Sequence, residues 1–489
     1  MGYILAVDQG TSSTTALLMD ELGNIKSVAS AQLPQIYPQP GWVEHSGAEI
    51  KKAVMLSINQ ALSQANITNT EILGIGITNQ RETLCIFDHD SEPLRNFIVW
   101  QCRRSTDLCE KLKSQDLEDF LHKRTGLLLD PYFSASKISW LFEHEPALKK
   151  AAQNNQLLVG TVDSFLVHWL SGGLSHVTDV SNASRTMLMN LITCDYDDDC
   201  LNIFGVPKVC LPKINKNIGN FGVTKNLNFL PDGIPIVALA GDQQAALFGQ
   251  CCFDPGDAKA TFGTGCFILL NTGSKPIFSN HGMLTSVAFQ IDTQAIYCLE
   301  GSAFIAGAAT QFLIDAFALI KSPHDLEALA RSVENNGGVT FVPALCGLGA
   351  PHWRPQARGS LSGLSRATTK GHIARATLEG IALQNLDIFD AMAQDAPPLT
   401  QLKVDGGASV NNLLIQLHAD LLGIPCLRSL NFDKTALGVA YMAALALGIF
   451  ENLEAIKKLD KNLEIFVPAL DKSWTKASIA AYRQAVERL

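Results

Sequence analysis

The stretch Ile4-Leu-Ala-Val-Asp-Gln-Gly-Thr-Ser-Ser13 joins a short apolar run to an aspartate and a polar, glycine-containing turn. A second apolar run, Ile234-Pro-Ile-Val-Ala-Leu-Ala-Gly-Asp242, also ends on an aspartate. A carboxylate at the C-terminal end of a buried strand points into the crevice where α/β folds bind ligands. The two aspartates, Asp8 and Asp242, therefore suggest a site in which one carboxylate holds a metal ion and the other moves a proton.

The composition indicates a folded protein of more than one domain. The chain has 489 residues, of which 47% are hydrophobic and 17% are charged, and a single core rarely serves a chain of this length. The net charge is −9, whereas nucleic-acid binding relies on a clustered basic face. We therefore expect two or three α/β domains and no nucleic-acid partner.

We expect no signal that directs the chain to a membrane or to an oxidising compartment. Its N-terminus leads directly into a strand-like run without a basic or long apolar segment. No apolar stretch approaches the ~18 residues of a membrane span. The 12 cysteines are scattered without C-x-x-C spacing. We expect a cytoplasmic protein with reduced, mostly buried thiols.

The first part of the chain follows a strand, strand, strand, helix, strand order. Apolar runs and turn residues predict strands over 4–7, 16–19 and 25–33. Ser46 is a candidate N-cap for a helix over about 48–65, whose apolar positions recur every four residues. A buried strand is predicted over 72–78.

A similar order of elements returns after residue 255. Strands are predicted over 258–262 and 266–270, around Gly263-Thr264-Gly265, and then over 285–290 and 296–299, before a helix over about 303–320. Four further helices and one strand complete the prediction: helices over about 371–393, 408–422, 434–448 and 473–488, and a strand over 402–405.

The repeated order predicts two related α/β halves. We place a first domain at residues 1–250 and a second at 251–489, because Gly249 and Pro255-Gly256 suit a boundary there. The segment from about 95 to 230 has no counterpart in the second half. It is therefore predicted to be an insertion that carries substrate contacts.

The first polar turn has the composition of a phosphate-binding loop. Gly10 allows close approach of the backbone to a phosphate, and Thr11, Ser12 and Ser13 add hydroxyl and amide donors. Asp8 could orient Mg²⁺ through water, since this ion keeps much of its hydration shell. Taken alone, however, the same residues would suit an ordinary hairpin turn.

Two more glycine-containing turns strengthen the case for a nucleotide site. Gly263-Thr264-Gly265 follows a predicted strand, and Asp405-Gly406-Gly407 stands between a strand and a helix start. Backbone amides at such positions can face anionic groups. The turn at Gly263 is neither a Walker motif nor a full dinucleotide motif, and alone it could be a plain turn. Together the three turns suggest a nucleotide held in a cleft between the halves.

Polar and aromatic residues suited to a hydroxylated ligand follow the strand over 72–78. Arg81 offers a fork of hydrogen-bond donors, and Glu82 can accept hydroxyl hydrogens. The alternative is that the two residues form an ordinary ion pair on the protein surface. Trp100 and Phe267 could form an apolar wall, and Tyr132 adds a hydroxyl near a helix start. Core packing is the competing interpretation for single aromatic residues.

These motifs together resemble the FGGY family of carbohydrate kinases over nearly the whole chain. Both family signatures are present: Tyr132-Phe-Ser-Ala-Ser-Lys-Ile-Ser-Trp140, and the segment from Gly359-Ser-Leu-Ser-Gly363 to His372-Ile-Ala-Arg-Ala-Thr-Leu-Glu379. Within the family, the chain is most similar to the members that phosphorylate glycerol. Four stretches carry that narrower similarity: 37–45, 76–82, 98–104 and 241–249.

The resemblance implies an α/β fold of two duplicated actin-like, ribonuclease-H-like domains with an interdomain catalytic cleft. It implies phosphorylation of glycerol by ATP to sn-glycerol 3-phosphate in glycerol catabolism, with Asp242 as general base and Asp8 at the Mg²⁺ site. Glycerol is expected at Arg81, Glu82, Trp100, Tyr132, Asp242, Gln243 and Phe267. The nucleotide is expected at Thr11, Ser12, Ser13, Thr264, Gly307, Gln311, Gly407 and Asn411. A homodimer or homotetramer is also expected, because relatives often form one.

The sequence departs from the family pattern at three places. Thr15 stands where many members have an arginine, which removes one expected phosphate contact. The loop 230–233 lacks the arginine of members that fructose 1,6-bisphosphate inhibits, so that inhibition is predicted to be absent. The stretch Pro351-His-Trp-Arg-Pro355 stands where the family has a Pro-Tyr-Trp-Asp-Pro run, and the sequence does not predict the consequence of this change.

Two other functions remain open from the sequence. The first is a kinase of the same family acting on another polyol or sugar, such as xylulose or erythritol. Arg81-Glu82 with Trp100 favours glycerol over these. The second is a non-catalytic, actin-like nucleotide-binding switch, which the presence of both Asp8 and Asp242 disfavours.

Overall fold

The computed structural model describes residues 2–429, 433–460, 463–469 and 472–489. The strands of these residues, in chain order, are β1 (Tyr3–Gln9), β2 (Ser13–Asp20), β3 (Ile25–Gln32), β4 (Glu44–His45), β5 (Ile72–Asn79), β6 (Cys85–Phe87), β7 (Phe97–Ile98), β8 (Leu158–Gly160), β9 (Val177–Asp179), β10 (Met189–Asn190), β11 (Asp195–Tyr196), β12 (Lys213–Asn215), β13 (Ile218–Val223), β14 (Pro235–Gly241), β15 (Ala258–Phe262), β16 (Cys266–Gly273), β17 (Leu284–Phe289), β18 (Ile296–Ala303), β19 (Thr340–Val342), β20 (Ser360–Ser362), β21 (Leu402–Asp405), β22 (Cys426–Ser429) and β23 (Leu463–Phe466).

The helices of the described residues are α1 (Gly47–Ala65), α2 (Thr106–Lys113), α3 (Glu118–Thr125), α4 (Ser134–His144), α5 (Pro146–Gln153), α6 (Val162–Leu170), α7 (Val180–Ala183), α8 (Asp198–Phe204), α9 (Asp242–Gly249), α10 (Gly307–Asp315), α11 (Asp325–Arg331), α12 (Lys370–Asp395), α13 (Asn412–Leu422), α14 (Lys434–Ala446), α15 (Leu453–Lys457) and α16 (Lys472–Glu487). Short 3₁₀ helices cover Asn69–Glu71, Lys208–Cys210 and Gly407–Val410. None of the helices just named has the length and apolar character needed to cross a membrane.

Two large sheets repeat one plan. The first has six strands in the order β13-β14-β5-β1-β2-β3, and the second has seven in the order β17-β18-β16-β15-β21-β22-β23. In each, the first strand pairs antiparallel with the next strand of the chain and parallel with a later one: β1 with β2 and β5, and β15 with β16 and β21. The two sheets therefore share the order and directions of six strands, and the second has the extra edge strand β17. They differ in connection at the other edge, because β13 precedes its antiparallel partner β14 in the chain whereas β23 follows its antiparallel partner β22.

The strands of the first sheet form where the apolar runs of the sequence lie. Ile4 to Val7 of β1 are fully buried, and they sit between β2 and β5 with both faces covered, which explains a continuous apolar run without alternation. Ser46 accepts a hydrogen bond from the backbone N–H of Glu49 and caps α1, as the sequence predicts.

Two helices with close backbone contact lie between the sheets. A Cβ on Gly438 of α14 would come within 1.9 Å of the carbonyl oxygen of Ala245 in α9, and one on Gly76 of β5 would lie 2.6 Å from the carbonyl oxygen of Val439. These glycines let α14 pack against both α9 and the first sheet. The helix thus belongs to the second half of the chain but packs on the sheet of the first half.

The region after β7 contains mainly short helices, and α2, α3, α4, α5 and α8 pack around a separate apolar core. Helix α6 instead packs into the core of the first sheet. Near its end, β13 pairs antiparallel with β14 and forms an edge of the first sheet. The last part of the predicted insertion is therefore part of the sheet itself. The division of the chain at residue 250 stays a prediction.

The helix predicted over 303–320 is shorter in the structure. Cys266 pairs with Ala303 in the ladder between β16 and β18, so residues up to 303 remain in a strand. Helix α10 then begins at Gly307 and ends at Asp315. The helix predicted over 408–422 is divided in a similar way, because the 3₁₀ turn Gly407–Val410 precedes α13.

Candidate active site

The charged residues of the site stand where two parallel strands end side by side. Gly241 of β14 is paired with Asn79 of β5, so the residues that follow each strand share one edge of the first sheet. Arg81 and Glu82 follow β5, and Asp242 is the first residue of α9. An aspartate in the first turn of a helix is favoured by the helix dipole.

A cavity of about 1040 Å³ opens at this edge and extends to the second half of the chain. All of the residues predicted to contact glycerol line it, together with three of the predicted nucleotide residues. These lining residues are Arg81, Glu82, Trp100, Tyr132, Asp242, Gln243, Phe267, Thr11, Ser12 and Thr264. We call Arg81, Glu82 and Asp242, with the rings of Trp100, Tyr132 and Phe267, the polyol side of the cavity.

Three aromatic rings form one wall of the polyol side. The centroid of the Trp100 ring lies 5.5 Å from that of Tyr132 and 6.3 Å from that of Phe267, and both pairs meet edge to face. The indole Nε1–H of Trp100 donates a hydrogen bond of 2.9 Å to Thr11 Oγ1. Trp100 therefore connects the aromatic wall to the first polar turn, a link that the sequence does not predict.

One oxygen of Asp242 is held in place and the other faces the cavity. Its Oδ1 accepts the backbone N–H of Gln243 at 2.7 Å and lies 3.2 Å from Arg81 Nε. Oδ2 accepts no hydrogen bond from the described residues. Burial raises the pKa of Asp242 above its ordinary value, against the lowering effects of Arg81 and of the Gln243 amide. The carboxylate is thus placed to accept a proton from a ligand.

Arg81 has most of its donors committed to protein acceptors. Nη1 and Nη2 donate to the two carboxylate oxygens of Glu300 at 2.7 and 2.8 Å, and Nη1 also donates to Gln244 Oε1 at 3.1 Å. With Nε facing Asp242, one N–H of Nη2 remains among the five donors of a guanidinium. The predicted donation from Arg81 to a ligand hydroxyl is limited to that group.

Glu82 is held by a buried arginine. Arg185 Nε donates to Glu82 Oε1 at 2.6 Å, and Arg185 is fully buried. No described residue donates to the other oxygen, Oε2. Burial raises the pKa of Glu82, although Arg185 and Arg81 oppose the shift. Glu82 has a φ of 60°, a left-handed conformation that costs energy for a non-glycine residue and is often found at functional sites.

The structure adds three charged residues that sequence reasoning missed: Arg185, Glu300 and Lys259. All three are buried, and Lys259 Nζ contacts Gln243 Oε1 while donating to Thr261 Oγ1 at 2.9 Å. Burial lowers the pKa of Lys259. For Lys259 and Glu300 the available signal was a charged residue within a largely apolar strand, because such residues are seldom buried unless they are paired. Arg185 follows α7 and has no such signal.

The opposite side of the cleft consists of turns with little side-chain chemistry. We call Thr11–Ser13, Gly263–Gly265, Gly307 and Gly406–Gly407 the loop side. The backbone N–H of Gly307 donates to the carbonyl of Gly263 at 3.0 Å, and a Cβ on Gly307 would lie 2.6 Å from that oxygen. Gly406 has a φ of +88°. These glycines allow the turns to come together, as a phosphate-binding surface requires.

Five of the predicted nucleotide residues do not line the cavity. They are Ser13, the first residue of β2; Gly307 and Gln311 of α10; Gly407, which begins a 3₁₀ turn; and Asn411, which precedes α13. Asn411 Oδ1 accepts the backbone N–H of Leu414 and caps α13, and Gln311 Nε2 donates to Asp315. Their contacts with a nucleotide stay predictions.

The chemistry of Asp8 fits a divalent cation. No described residue donates a hydrogen bond to its carboxylate, and burial, with the nearby Asp242 and Asp433, raises its pKa to about 8. A positive ion would remove that repulsion. The described residues contain no cluster of three metal-binding side chains. The role of Asp8 at a Mg²⁺ site stays a prediction.

Comparison with known proteins identifies the family. The model of the N-terminal domain of the FGGY family of carbohydrate kinases matches residues 3–249, and that of the C-terminal domain matches residues 258–447. The chain belongs to the FGGY family of carbohydrate kinases. The predicted family, the duplicated two-domain fold and the assignment as a kinase are thus confirmed.

Similar members of the FGGY family match the whole chain. A glycerol kinase of Bdellovibrio bacteriovorus is 50% identical over 100% of this chain and 99% of its own length, and one of Myxococcus xanthus is 46% identical over 99% of each. The crystal structure of Plasmodium falciparum glycerol kinase with ADP has a TM-score of 0.93 at 35% identity, covering 100% of this chain and 98% of that one. A xylulose kinase from Lactobacillus acidophilus, at 22% identity and a TM-score of 0.88, shares the fold.

Proposed function

We propose that this FGGY kinase transfers the γ-phosphoryl group of ATP to glycerol and forms sn-glycerol 3-phosphate in glycerol catabolism. One observation carries the proposal: a single cavity brings Arg81, Glu82 and Asp242 together beside the aromatic wall. Relatives of about the same length that are 46–50% identical are named glycerol kinase, and this supports the choice of substrate.

The polyol side offers a separate partner for each hydroxyl of glycerol. Glu82 Oε2 and Asp242 Oδ2 are free to accept, and one Nη2–H of Arg81 is free to donate. A buried hydroxyl left without a partner costs roughly 1–3 kcal/mol, so a substrate that lacks one hydroxyl would leave a protein group unpaired. The ring of Trp100 against those of Tyr132 and Phe267 would cover the carbon chain and limit its length.

Asp242 would act as the general base. Its fixed Oδ1 orients the side chain, and Oδ2 would take the proton of the attacking hydroxyl as the new O–P bond forms and the bond to the leaving ADP oxygen breaks. The raised pKa makes the carboxylate a stronger proton acceptor than an exposed aspartate. Most of the rate would still come from positioning and charge stabilisation, as in other phosphoryl transfers.

The loop side would receive the nucleotide. The backbone amides of the turns at Thr11–Ser13 and Gly263–Gly265 would face the phosphates, and Asp8 would hold Mg²⁺ through water. When bound, the metal ion neutralises charge on the phosphates. The substitution of Thr15 for the family arginine would then be tolerated, because backbone donors carry most of the binding.

We further propose a cytoplasmic homodimer or homotetramer that fructose 1,6-bisphosphate does not inhibit. The loop Leu230-Pro-Asp-Gly233 supports the last point, because it contains no arginine. Strong inhibition at micromolar bisphosphate would refute it.

A substrate panel tests the proposed function. ADP release is measured with ATP and glycerol, 1,2-propanediol, erythritol or xylulose at matched concentrations. We expect glycerol to have the highest kcat/KM and 1,2-propanediol, which lacks one hydroxyl, to lose at least ~10-fold. A higher kcat/KM for xylulose or erythritol than for glycerol would show that glycerol is not the preferred substrate. ADP release that is the same without any polyol would indicate an ATPase instead.

A further inference from the structure

Four buried charges form a connected set at the base of the polyol side, and one of them, Arg81, also contacts Asp242. Arg81 and Glu82 belong to it, and so do Arg185 and Glu300, which do not line the cavity. The exposed fraction of each side chain is 2% or less. Two guanidiniums and two carboxylates balance in charge, which is the arrangement in which buried ions are tolerated.

The four residues come from three separate parts of the chain. Arg81 and Glu82 follow β5 of the first sheet, Arg185 follows α7, and Glu300 lies within β18 of the second sheet. Arg81 and Glu300 are 219 positions apart in sequence. The bidentate pair between them therefore joins the two sheets at the point where the ligand would bind.

Glu300 and Arg185, the two residues of the set that do not line the cavity, each hold one residue of the polyol side in place. Glu300 takes both terminal nitrogens of Arg81, which leaves Nε directed at Asp242. Arg185 takes Oε1 of Glu82, which leaves Oε2 to the cavity. Arg185 also reaches Glu300 at 3.3 Å and Ser286 Oγ at 3.4 Å, and its guanidinium carbon lies 5.5 Å from the Tyr132 ring.

We propose that Arg185 and Glu300 are positioning residues for polyol recognition, which hold Glu82 and Arg81 so that the site is complete only when the two sheets are in register. The inference rests on the proposed function, because its readout is glycerol binding. Glu300 acts on the attacking end of the substrate through Arg81 and Asp242. Arg185 acts on the recognition of a second hydroxyl through Glu82.

The variants Glu300→Gln and Arg185→Lys test the proposal, with kcat and KM measured for both glycerol and ATP. Each change keeps most of the volume and removes the geometry of one pair. We expect the glycerol KM to rise ~10- to 100-fold, and kcat to fall further in the Glu300 variant, because Arg81 would turn towards Asp242. The ATP KM should change less than ~3-fold, since neither residue approaches the loop side.

Asp460→Asn is the matched control. It breaks a buried ion pair with Lys403 and Lys434 outside the cavity, so it should lower the unfolding temperature without changing either KM. The double variant Arg185→Gln/Glu300→Gln keeps the buried charges balanced and provides a readout if Glu300→Gln does not fold. We expect its glycerol dissociation constant, measured by calorimetry, to rise at least ~10-fold.

The outcomes separate this inference from the proposed function. An active wild-type enzyme whose glycerol KM is unchanged in both single variants, or whose ATP and glycerol KM values rise equally, overturns the positioning role and leaves the function standing. A wild-type enzyme that does not phosphorylate glycerol overturns the proposed function itself. A rise in the glycerol KM without a matching rise in the ATP KM supports the inference. It is supported further if the glycerol KM of Glu300→Asp lies between those of the wild type and Glu300→Gln.

Discussion

The two sides of the cleft present different chemical groups, which are charged side chains on the polyol side and main-chain groups on the loop side. The polyol side uses charged side chains that are paired before any ligand arrives, with Arg81 committed to Glu300 and Glu82 to Arg185. The loop side uses glycines and backbone amides, and its turns at Gly263 and Gly307 contact each other through main-chain atoms. If the proposed function holds, polyol recognition depends on particular side chains, whereas nucleotide recognition depends on how closely the backbone can approach.

The largest expected effect comes from removing the proposed base. Asp242→Asn keeps the shape of the side chain but cannot take a proton, so kcat should fall ~10²- to 10⁴-fold while glycerol still binds detectably by calorimetry. The exposed Asp90→Asn serves as the control and should be silent. Near-normal turnover of the Asp242 variant would show that Asp242 is not the general base.

Asp8→Asn probes the metal at the boundary between the two sides. The neutral amide lowers attraction for a cation, so the Mg²⁺ concentration that gives half-maximal activity should rise ~10-fold or more. A Mg²⁺ titration at fixed ATP and glycerol measures this. An unchanged titration would show that Asp8 does not serve the metal.

Gly307→Ala is expected to damage the loop side alone. Its Cβ would lie 2.6 Å from the carbonyl oxygen of Gly263 and would force the two turns apart, at a cost of about 1–3 kcal/mol. The ATP KM should rise ~10-fold, while the glycerol dissociation constant, which is the internal control, stays the same. Equal losses for both ligands would show that the two sides are not independent.

Trp100→Phe tests the link between the sides. Phenylalanine keeps an aromatic wall but loses the hydrogen bond to Thr11, which contributes about 0.5–1.5 kcal/mol. We expect both the glycerol KM and the ATP KM to rise two- to ten-fold. A change confined to glycerol would mean that the bond to Thr11 does not connect the two sites.

A smaller effect is expected on stability in mild acid. Burial lowers the pKa of His45, which contacts Gln80, and of His418, which contacts Asn385, to about 4 in each case. Since the unfolded chain binds a proton near pH 6.5, stability is full above that pH and is lost as the pH falls towards 4.

Thermal unfolding at about pH 7.5 and pH 5 measures this loss, which should be about 2 kcal/mol for each histidine at the lower pH. His418→Asn should reduce the difference between the two pH values, whereas the exposed His324→Asn should not. If the wild type, His418→Asn and His324→Asn lose the same stability between pH 7.5 and pH 5, His418 does not contribute to the loss in acid.

The sequence predicts the strands and turns of the site well because these depend on local patterns. The apolar run before Asp8, the N-cap at Ser46 and the strand before Gly263 each lie where they are expected. The start of α10 is not predicted, because residues up to Ala303 continue a strand through their pairing with Cys266. That pairing depends on a distant neighbour, which a local pattern does not contain.

The ion pairs that Arg81 and Glu82 form with Glu300 and Arg185 cannot be predicted from the sequence for the same reason. Arg81 and Glu82 are found because they follow a strand end together. Their partners, Arg185 and Glu300, are more than 100 positions away, and nothing near them in sequence marks them as a pair. Only the folded chain shows that each of these buried charges has a counter-ion.

The most direct test of the central claim is the product balance of the wild-type enzyme with Mg²⁺, ATP and glycerol. ADP is measured by a coupled assay, and sn-glycerol 3-phosphate by an enzyme specific for that stereoisomer. We predict equal amounts of the two products and no ADP above background when glycerol is omitted. ADP formed without glycerol, or without the phosphorylated product, would contradict the account.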